Sequence, residues 1–437
     1  MEWYWALALL IGTALTLMFI GVPVAFAFLG ANILGAIIFF GGAVGVDQAV
    51  HNTVAGLSTF ALAPVVMFIL MGEVLFRSGV AIRAIDTVEQ LMLNVPGRLA
   101  LVTVGGGTVF ATLTGSSMAS TAVLASTVLP EMRRRGYDPA MSMGPIMGTG
   151  GIAMLIPPSG MAVLLGSLSG ISISGILVTA AIPGLLIATC YAVYIVTRCW
   201  LNPALAPRYE IPSLPLRTKL GLFSVNILPL FSLCALVIGS ILLGWATPTE
   251  SAALGAVGAV LLCLCYRSLT WAVLREALMG TGKIAVPILF IAAMSLTFSQ
   301  ILSFSGATQG IIQLVQTLEP GTFALLTLMM VIVVLLGCLM DPYSILLITL
   351  PFFIPLAKLA GFDLVWFGVL LLLALEIGQV TPPFGMILFV MKGVSTGSRM
   401  KDVYTAVIPF ILMELAVLIF LMLAPGAVTW LQVAGIR

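Results

Sequence analysis

The chain has 437 residues, of which 61% are hydrophobic and only 8% are Asp, Glu, Lys or Arg, against roughly a quarter in a soluble domain. Mean hydropathy is +1.21 and the net charge is +2. These values exclude a soluble enzyme, a disordered regulator, a secreted disulfide scaffold and a nucleic-acid binder, and they leave an all-α polytopic membrane protein. The six cysteines (Cys190, Cys199, Cys234, Cys263, Cys265 and Cys338) lie in or beside apolar runs, where cysteine serves as a small apolar residue. There is no CxxC, and the single His51 cannot build a zinc site. The first apolar run continues through two helix lengths with no basic segment before it, which argues against a cleavable signal.

A bilayer crossing takes about 20 apolar residues. Charges are absent from 3–46, 99–130, 139–197, 220–249 and 284–318. Gly and Pro divide these stretches. In chain order the pattern predicts crossings at 3–20, 23–44, 57–77, 140–169, 174–198, 220–244, 247–267, 284–302, 364–394 and 403–424. Two further apolar segments, 99–131 and 321–358, have polar or small residues at their middles. These are Thr114-Gly115-Ser116-Ser117 and Met340-Asp341-Pro342-Tyr343-Ser344. They read as re-entrant helical hairpins that enter and leave on one side.

Basic residues test this topology, because cytoplasmic loops carry the Lys and Arg excess. With the N-terminus outside, sixteen of the 18 basic residues fall inside, Arg77, Arg133 to Arg135, Arg208 and Lys392 among them. Only Lys358 and Arg437 fall outside. Reading either hairpin as two crossings flips some of these loops. Both termini are therefore expected on the outer, periplasmic side.

The chain also carries one pattern twice. Pro130-Glu131-Met132-Arg133-Arg134-Arg135-Gly136-Tyr137-Asp138 aligns with Pro355-Leu356-Ala357-Lys358-Leu359-Ala360-Gly361-Phe362-Asp363. Pro157-Pro158-Ser159-Gly160-Met161 aligns with Pro382-Pro383-Phe384-Gly385-Met386. The offset is 225 in both, and it also maps Pro23 onto Pro248 and Gly30 onto Gly255. Each copy has five crossings and one hairpin. Five is odd, so the second copy is inverted. Inverted repeats with discontinuous helices mark secondary transporters that bind substrate near the bilayer midplane.

The motifs fit that chemistry. Met147-Gly148-Thr149-Gly150-Gly151 precedes Pro157-Pro158, so a helix is expected to unwind there. Unwound backbone at membrane depth must be buried in protein or line a cavity. Its free carbonyls suit a hard cation. Thr381-Pro382-Pro383 is the counterpart. The tips supply Gly115, Ser116 and Ser117 on one side and Asp341 and Ser344 on the other. Each tip also starts a helix, and a helix N-terminus favours an anion.

Plainer readings stand beside these. Pro-Pro can be only a kink, and the serines can bond helix to helix. Asp341 is either a cation ligand or an organiser of its tip. Glu376, one turn before the second break, could pair with a hydroxyl or backbone donor. Glu250 reads as a favourable acid in a first helical turn. Glu73 and Glu414 find no place in the pattern. Arg133 to Arg135 close a hairpin more naturally than they bind phosphate. Gly280-Thr281-Gly282-Lys283 fails as a P-loop, with Ala277 and Ile284 where Gly and Ser or Thr are needed.

At these residues the sequence resembles the large membrane (M, DctM-like) subunit of the tripartite ATP-independent periplasmic (TRAP) transporters. The likeness runs along nearly the whole chain. It is carried by Gly115-Ser116-Ser117, the 130–139 segment, Ile156-Pro157-Pro158-Ser159, Thr247-Pro248-Thr249-Glu250, Met340-Asp341-Pro342 and Thr381-Pro382-Pro383 with Gly385. It implies sodium-driven uptake of a small organic acid by an elevator motion. It implies no further cofactor. It also implies two partners, a small four-helix membrane (Q) subunit and a periplasmic substrate-binding (P) protein, in a bacterial inner membrane. This chain departs from the pattern at Thr149-Gly150-Gly151 and at Phe384-Gly385-Met386-Ile387. Phe384 and Met386 are expected to make the pocket smaller and more apolar.

The resulting expectation is an inverted-repeat elevator-type transporter with two hairpins and two discontinuous helices. Residues 1–98 and 220–320 form scaffold and arms, 99–200 and 321–437 the transport unit, and 201–219 a cytoplasmic linker. One sodium takes Ser116 or Ser117 with Gly148, Thr149, Gly150 and Gly151. A second takes Gly337, Met340, Asp341, Glu376, Gly378 and Thr381. The acid meets Gly115, Ser116, Ser159, Ser344, Thr381 and Pro382. The competing expectations are a stand-alone sodium–carboxylate symporter and a membrane scaffold or enzyme without transport. Against the latter stand the paired hairpins and the lack of a catalytic His, a metal cluster or an Asp pair on adjacent crossings.

Overall fold

The computed structural model describes residues 2–58, 60–92, 95–207, 214–395 and 397–433. Arg208 and Arg437, both used in the count of basic residues, lie outside the described residues. Every regular element among the described residues is helical.

Glycine and proline set the boundaries. The first half holds α1 (Trp3–Phe19), α2 (Val24–Phe39), α3 (Ala43–Leu57), α4 (Ala63–Arg77), α5 (Val80–Leu91), α6 (Arg98–Thr114), α7 (Ser117–Arg134), α8 (Pro139–Gly151), α9 (Gly160–Ser169) and α10 (Ile173–Leu201). The second holds α11 (Leu216–Leu222), α12 (Leu228–Leu242), α13 (Pro248–Cys265), α14 (Trp271–Phe304), α15 (Ala307–Leu318), α16 (Thr322–Gly337), α17 (Pro342–Leu359), α18 (Leu364–Val380), α19 (Met386–Val394), α20 (Met400–Leu423) and α21 (Gly426–Val433). A π-helical turn (Phe223–Ile227) joins α11 to α12. The offset of 225 carries the bounds of α7 onto those of α17. It also matches α6 with α16, α8 with α18, α9 with α19 and α10 with α20. Both Pro-Pro bonds, Pro157-Pro158 and Pro382-Pro383, are cis.

Both segments expected as hairpins are helix–tip–helix units. The first turns at Gly115, in the left-handed region at φ 60°, and the second at Asp341. Six helices among the described residues are long and apolar enough to cross a membrane, and α17 is one of them. Length alone therefore does not separate a hairpin limb from a crossing.

Two sequence expectations need correction. The crossing expected at 57–77 starts at Ala63, and a separate helix, α3, precedes it. Asp47, Gln48, His51 and Asn52 lower the hydropathy of α3, so an apolar-run reading passes over it. Pairs one turn apart still support the helix: Gln48 donates to Asn52 at 2.9 Å, and His51 lies 3.7 Å from Asp47. In the second half α3 and α4 correspond to one continuous helix, α14, which exceeds the expected 284–302. The amphipathic α5 and α15 fall within the segments expected to hold the arms. Each starts at a left-handed glycine, Gly79 or Gly306, and α5 bends 63° from α4.

The helices pack in two groups. One holds α1 to α4 with α12 to α14. The other surrounds α8 and α18 with α6, α7, α10, α16 and α20. They meet where α4 touches α6 and α9, where α14 touches α17, and where α10 touches α12. Hydroxyl and amide bonds tie helices within lipid. Asn32 Nδ2 donates to Met294 O at 2.8 Å, Thr53 and Thr297 share a 3.0 Å bond, and Ser295 Oγ donates to Leu347 O at 2.7 Å. Arg134 and Arg135 close on Glu131, which accounts for the basic run without a phosphate ligand.

Asp138 and Asp363 are repeat-equivalent N-caps of α8 and α18; Asp363 Oδ1 accepts from Trp366 N at 2.7 Å. Asp363→Ala should cost about 0.5–2 kcal/mol, and Asp363→Asn should retain most of the stability. Thermal unfolding in detergent at fixed pH measures both.

Candidate functional site

The paired prolines locate the site. A proline cannot donate to the carbonyl four residues earlier. Pro157 and Pro158 thus deprive Ala153 and Met154, while Pro382 and Pro383 deprive Gly378 and Gln379. The chain answers locally. Ser159 Oγ donates to Met154 O at 2.7 Å and accepts from Ala162 N at 3.3 Å, capping α9. Thr381 N donates to Gly378 O at 3.3 Å, and Thr381 Oγ1 donates to Ile377 O at 2.6 Å. Tyr404 Oη donates to Pro383 O at 2.7 Å.

The first break begins one turn later than expected. Gly148 to Gly151 do not unwind; they form the last turn of α8, followed by a 3-10 turn at Ile152–Met154. The prolines act four residues upstream of themselves, at 153 and 154, so the glycines stay helical. Their purpose is packing. Each successive residue on a helix turns about 100°, and each of these four meets a different neighbour. A methyl on Gly148 would stand 2.8 Å from the Phe410 ring on α20 and 3.0 Å from Tyr191 on α10. Thr149 lies against Gly107 on α6. Gly150 lies against Thr121 and the Ser117 carbonyl on α7, and Gly151 against the Glu376 carboxylate on α18. In the last turn of a helix carbonyls also lose their intrahelical partners.

At the first tip Ser116 caps α7, its Oγ accepting from Ala119 N at 3.3 Å. Ser117 Oγ and Thr149 Oγ1 are buried and have no hydrogen-bond partner. At the second tip Asp341 caps α17. Its Oδ1 accepts from Ser344 N at 3.0 Å, and its Oδ2 accepts from the buried Ser344 hydroxyl. Ser116 and Asp341 are themselves related by the offset of 225, a signal present in the sequence. Gly337 and Gly378 bring α16 and α18 into backbone contact, and a methyl on Gly378 would stand 2.7 Å from Gly337 Cα. Met340 is half-buried beside Asp341.

Not every expected member joins its group. Residues two apart on a helix face nearly opposite sides. Gly378 faces α16, so Glu376 turns away from the second tip, toward Gly151. Ser159 is buried and committed to the break. Phe384 is exposed and stacks on exposed Phe389, with centroids 6.5 Å apart, so it does not narrow a pocket.

The tips and the first break converge on α4. Gly115, Pro158, Gly160 and Tyr343 meet Phe68, Ile69 and Met71 around a void of about 10 Å³, enough for about one water. The site is therefore closed, with apolar side chains of α4 pressed against both tips. Pro382 and Thr381 are half-buried at the second break. Sequence reasoning missed α4 as a wall because nothing in an all-apolar stretch marks which side chains face a site.

The sequence profile described as tripartite ATP-independent periplasmic transporter, DctM component, matches residues 11–427. The 2,3-diketo-L-gulonate TRAP transporter large permease protein YiaN of Escherichia coli is 30% identical over 427 residues, which span 97% of this chain and 98% of that protein. The ectoine TRAP transporter large permease protein TeaC of Halomonas elongata is 30% identical over 432 residues, 98% of this chain and 99% of that one. The C4-dicarboxylate TRAP transporter large permease protein DctM of Pseudomonas aeruginosa is 29% identical over 370 residues, 84% and 85% of the two chains. Among solved structures the YdaH transporter of Alcanivorax borkumensis has a TM-score of 0.62 over 88% of this chain and 89% of that one, at 15% identity. That last likeness is one of fold alone.

Gly378→Ala should lose about 1–3 kcal/mol, because the added methyl meets backbone that cannot move aside. Gly393→Ala, where nothing lies within 4 Å, should lose none. Paired thermal midpoints in detergent separate a close-approach requirement from a general effect of added methyls.

Proposed function

The chain belongs to the DctM-component family of tripartite ATP-independent periplasmic transporters, a family of membrane permeases rather than enzymes, and on that premise we propose that it drives sodium-coupled uptake of a small organic acid. It works in a bacterial inner membrane with both termini in the periplasm. A small Q-type membrane subunit and a periplasmic binding protein complete the system. Relatives named for 2,3-diketo-L-gulonate and C4-dicarboxylates favour an acid as substrate.

The observation that carries this reading is the convergence of two hairpin tips and a broken helix on α4. The group around α8 and α18 is the mobile transport unit, and α1 to α4 with α12 to α14 are the scaffold. Few helices join the two groups, which suits a sliding elevator. Opening for substrate requires the tips to leave Phe68, Ile69 and Met71.

Two cation sites are assigned. The first uses Ser116 or Ser117 with carbonyls of the last turn of α8. The unpartnered, buried hydroxyls of Ser117 and Thr149 support it, since a buried polar group without a partner is costly. The second uses Asp341, Met340 and Thr381 with carbonyls near Gly337 and Gly378. Glu376 is withdrawn from it. The acid binds between Gly115, Ser116 and the second tip. Energetically, each net positive charge moved inward is worth about 2.3 kcal/mol per 100 mV, against about 1.4 kcal/mol for tenfold accumulation. Two sodium ions with one monoanion therefore suffice for more than tenfold.

Replacing potassium by sodium at constant ionic strength should raise the unfolding temperature of the chain with its small subunit. The gain saturates and approaches about 2.7 kcal/mol at a hundred times the dissociation constant. Ser117→Ala and Asp341→Asn should each weaken the sodium response while keeping their stability in potassium, since Asn still caps a helix. An equal response in both salts would sink the sodium assignment. In vesicles, uptake of an acid should require the binding protein. Uptake without it would point to a stand-alone symporter instead.

A further inference from the structure

A second cavity lies away from the tips, where α14 and α15 meet α9 and α17. Its volume is about 220 Å³, against about 10 Å³ for the closed void, so it has room for a small molecule rather than one water. Five hydroxyl-bearing residues line it: Ser169, Ser295, Ser299, Ser303 and Thr308. No ionisable residue is among the described residues that line it.

Three of the serines form a track. Ser295, Ser299 and Ser303 are spaced four apart on α14, so they share a face and span about 12 Å. Ser303 is exposed, Ser299 half-buried and Ser295 buried, and the track therefore runs from the surface inward. At its inner end Ser295 Oγ donates to Leu347 O on α17 at 2.7 Å. Leu347 lies one turn from Tyr343, which borders the closed void. The repeat does not demand these hydroxyls. Aligned on the glycines that start the arms, Gly79 and Gly306, they correspond to Phe68, Gly72 and Phe76 of α4. Phe68 borders the closed void. One half thus closes with apolar side chains where the other presents serines.

Polar groups beside the cavity still want partners. Thr308 is only 8% exposed, and its Oγ1 is buried without a hydrogen-bond partner. Such a group is costly unless something bonds to it. Proline adds acceptors. Pro351 has no N–H to offer the Leu347 carbonyl, and Ser295 serves that carbonyl instead. Pro355 withdraws the helical donor from the Pro351 carbonyl in the same way. Both prolines line the cavity, with Leu168, Leu296 and Leu350 supplying apolar wall between the polar groups. A few convergent donors and acceptors on an otherwise apolar wall are what a small-molecule site needs. With no fixed charge in the wall, the matching group is a hydroxyl, which both donates and accepts.

We propose that this cavity is a second ligand site, separate from the closed site at the tips, and that it binds a small polyhydroxylated solute through the solute's hydroxyls. In the transport reading it is an antechamber, where a hydroxylated acid waits one turn from the tips until they leave α4. That role rests on the proposed uptake function. The recognition of hydroxyls does not.

Thiol labelling of the full chain with its small subunit in lipid nanodiscs tests this, in potassium buffer without sodium or binding protein. Ser299→Cys should react with a water-soluble methanethiosulfonate above the background set by the six native cysteines. Sorbitol should slow that reaction about tenfold at ten times its dissociation constant. Succinate, which has no hydroxyl, should leave the rate unchanged. Sorbitol should also leave unchanged the rate at Gln309→Cys, an exposed position outside the cavity. Should Ser299→Cys fail to fold, Ser303→Cys at the exposed mouth gives the same readout. Adding Thr308→Val should weaken the protection by sorbitol several-fold without lowering the unfolding temperature, because it removes an unpartnered hydroxyl. An equal rate with and without sorbitol means a cleft that holds only water, and it overturns the proposal. No reaction at either cysteine means that lipid or protein covers the cavity, which also overturns it. Sorbitol carries no carboxylate, so protection alongside a failed acid uptake or sodium response sinks the transport reading and leaves this site standing.

Discussion

Backbone polar groups at membrane depth must be satisfied inside the protein, and the paired prolines of this chain make that hard at two symmetry-related places. Everything near the site follows from how the lost donors are replaced. In the first half a serine hydroxyl takes over the Met154 carbonyl. In the second half Thr381 covers Ile377 and Gly378, and Tyr404 reaches Pro383 from α20. Such a break cannot face lipid. It has to be wrapped by other helices, and the hairpins, α4 and α10 do the wrapping. The 10 Å³ void at the convergence is what remains.

The wrapping works because the two halves have diverged in complementary directions. Gly148-Thr149-Gly150-Gly151 in the first half corresponds to Leu373-Ala374-Leu375-Glu376 in the second. The small side lets α6, α7, α10, α18 and α20 approach one helix end, and the large side fills the space. The reverse holds at the other contact, where Gly337 and Gly378 allow backbones to touch, while their repeat mates are Thr112 and Ala153. Small residues at interfaces are the usual means of close packing in lipid, where apolar burial gives no driving force between helices. A perfectly symmetric chain would place two bulky residues, or two glycines, against each other at the axis.

Much of this was legible in the sequence because Gly, Pro and Asp act locally. The Pro-Pro pairs, the caps at Asp138 and Asp363 and the turn at Gly115 each dictate backbone within a few residues, so the hairpins and broken helices could be read directly. The break position was misread by one turn, since the glycines looked like the weak point when the missing proline donors act upstream of themselves. Helix α3 was missed because its polar residues hid it from an apolar-run criterion. The Tyr191–Glu414 bond joins residues 223 apart, and no local pattern signals such a partner. Glu376 was assigned to the wrong face because its place in the sequence gives its turn and not its direction.

The same divergence makes the two tips electrostatically unlike. Ser116 and Asp341 do the same geometric job, each accepting from the backbone N–H three residues on. A helix N-terminus carries a partial positive charge, and an acid placed there compensates it. At α17 the cap itself is the acid, with both oxygens engaged by Ser344. At α7 the cap is a neutral hydroxyl and no acid lies in the first turn. Two tips of one geometry thus differ in charge at the cap, a carboxylate in one half and a hydroxyl in the other.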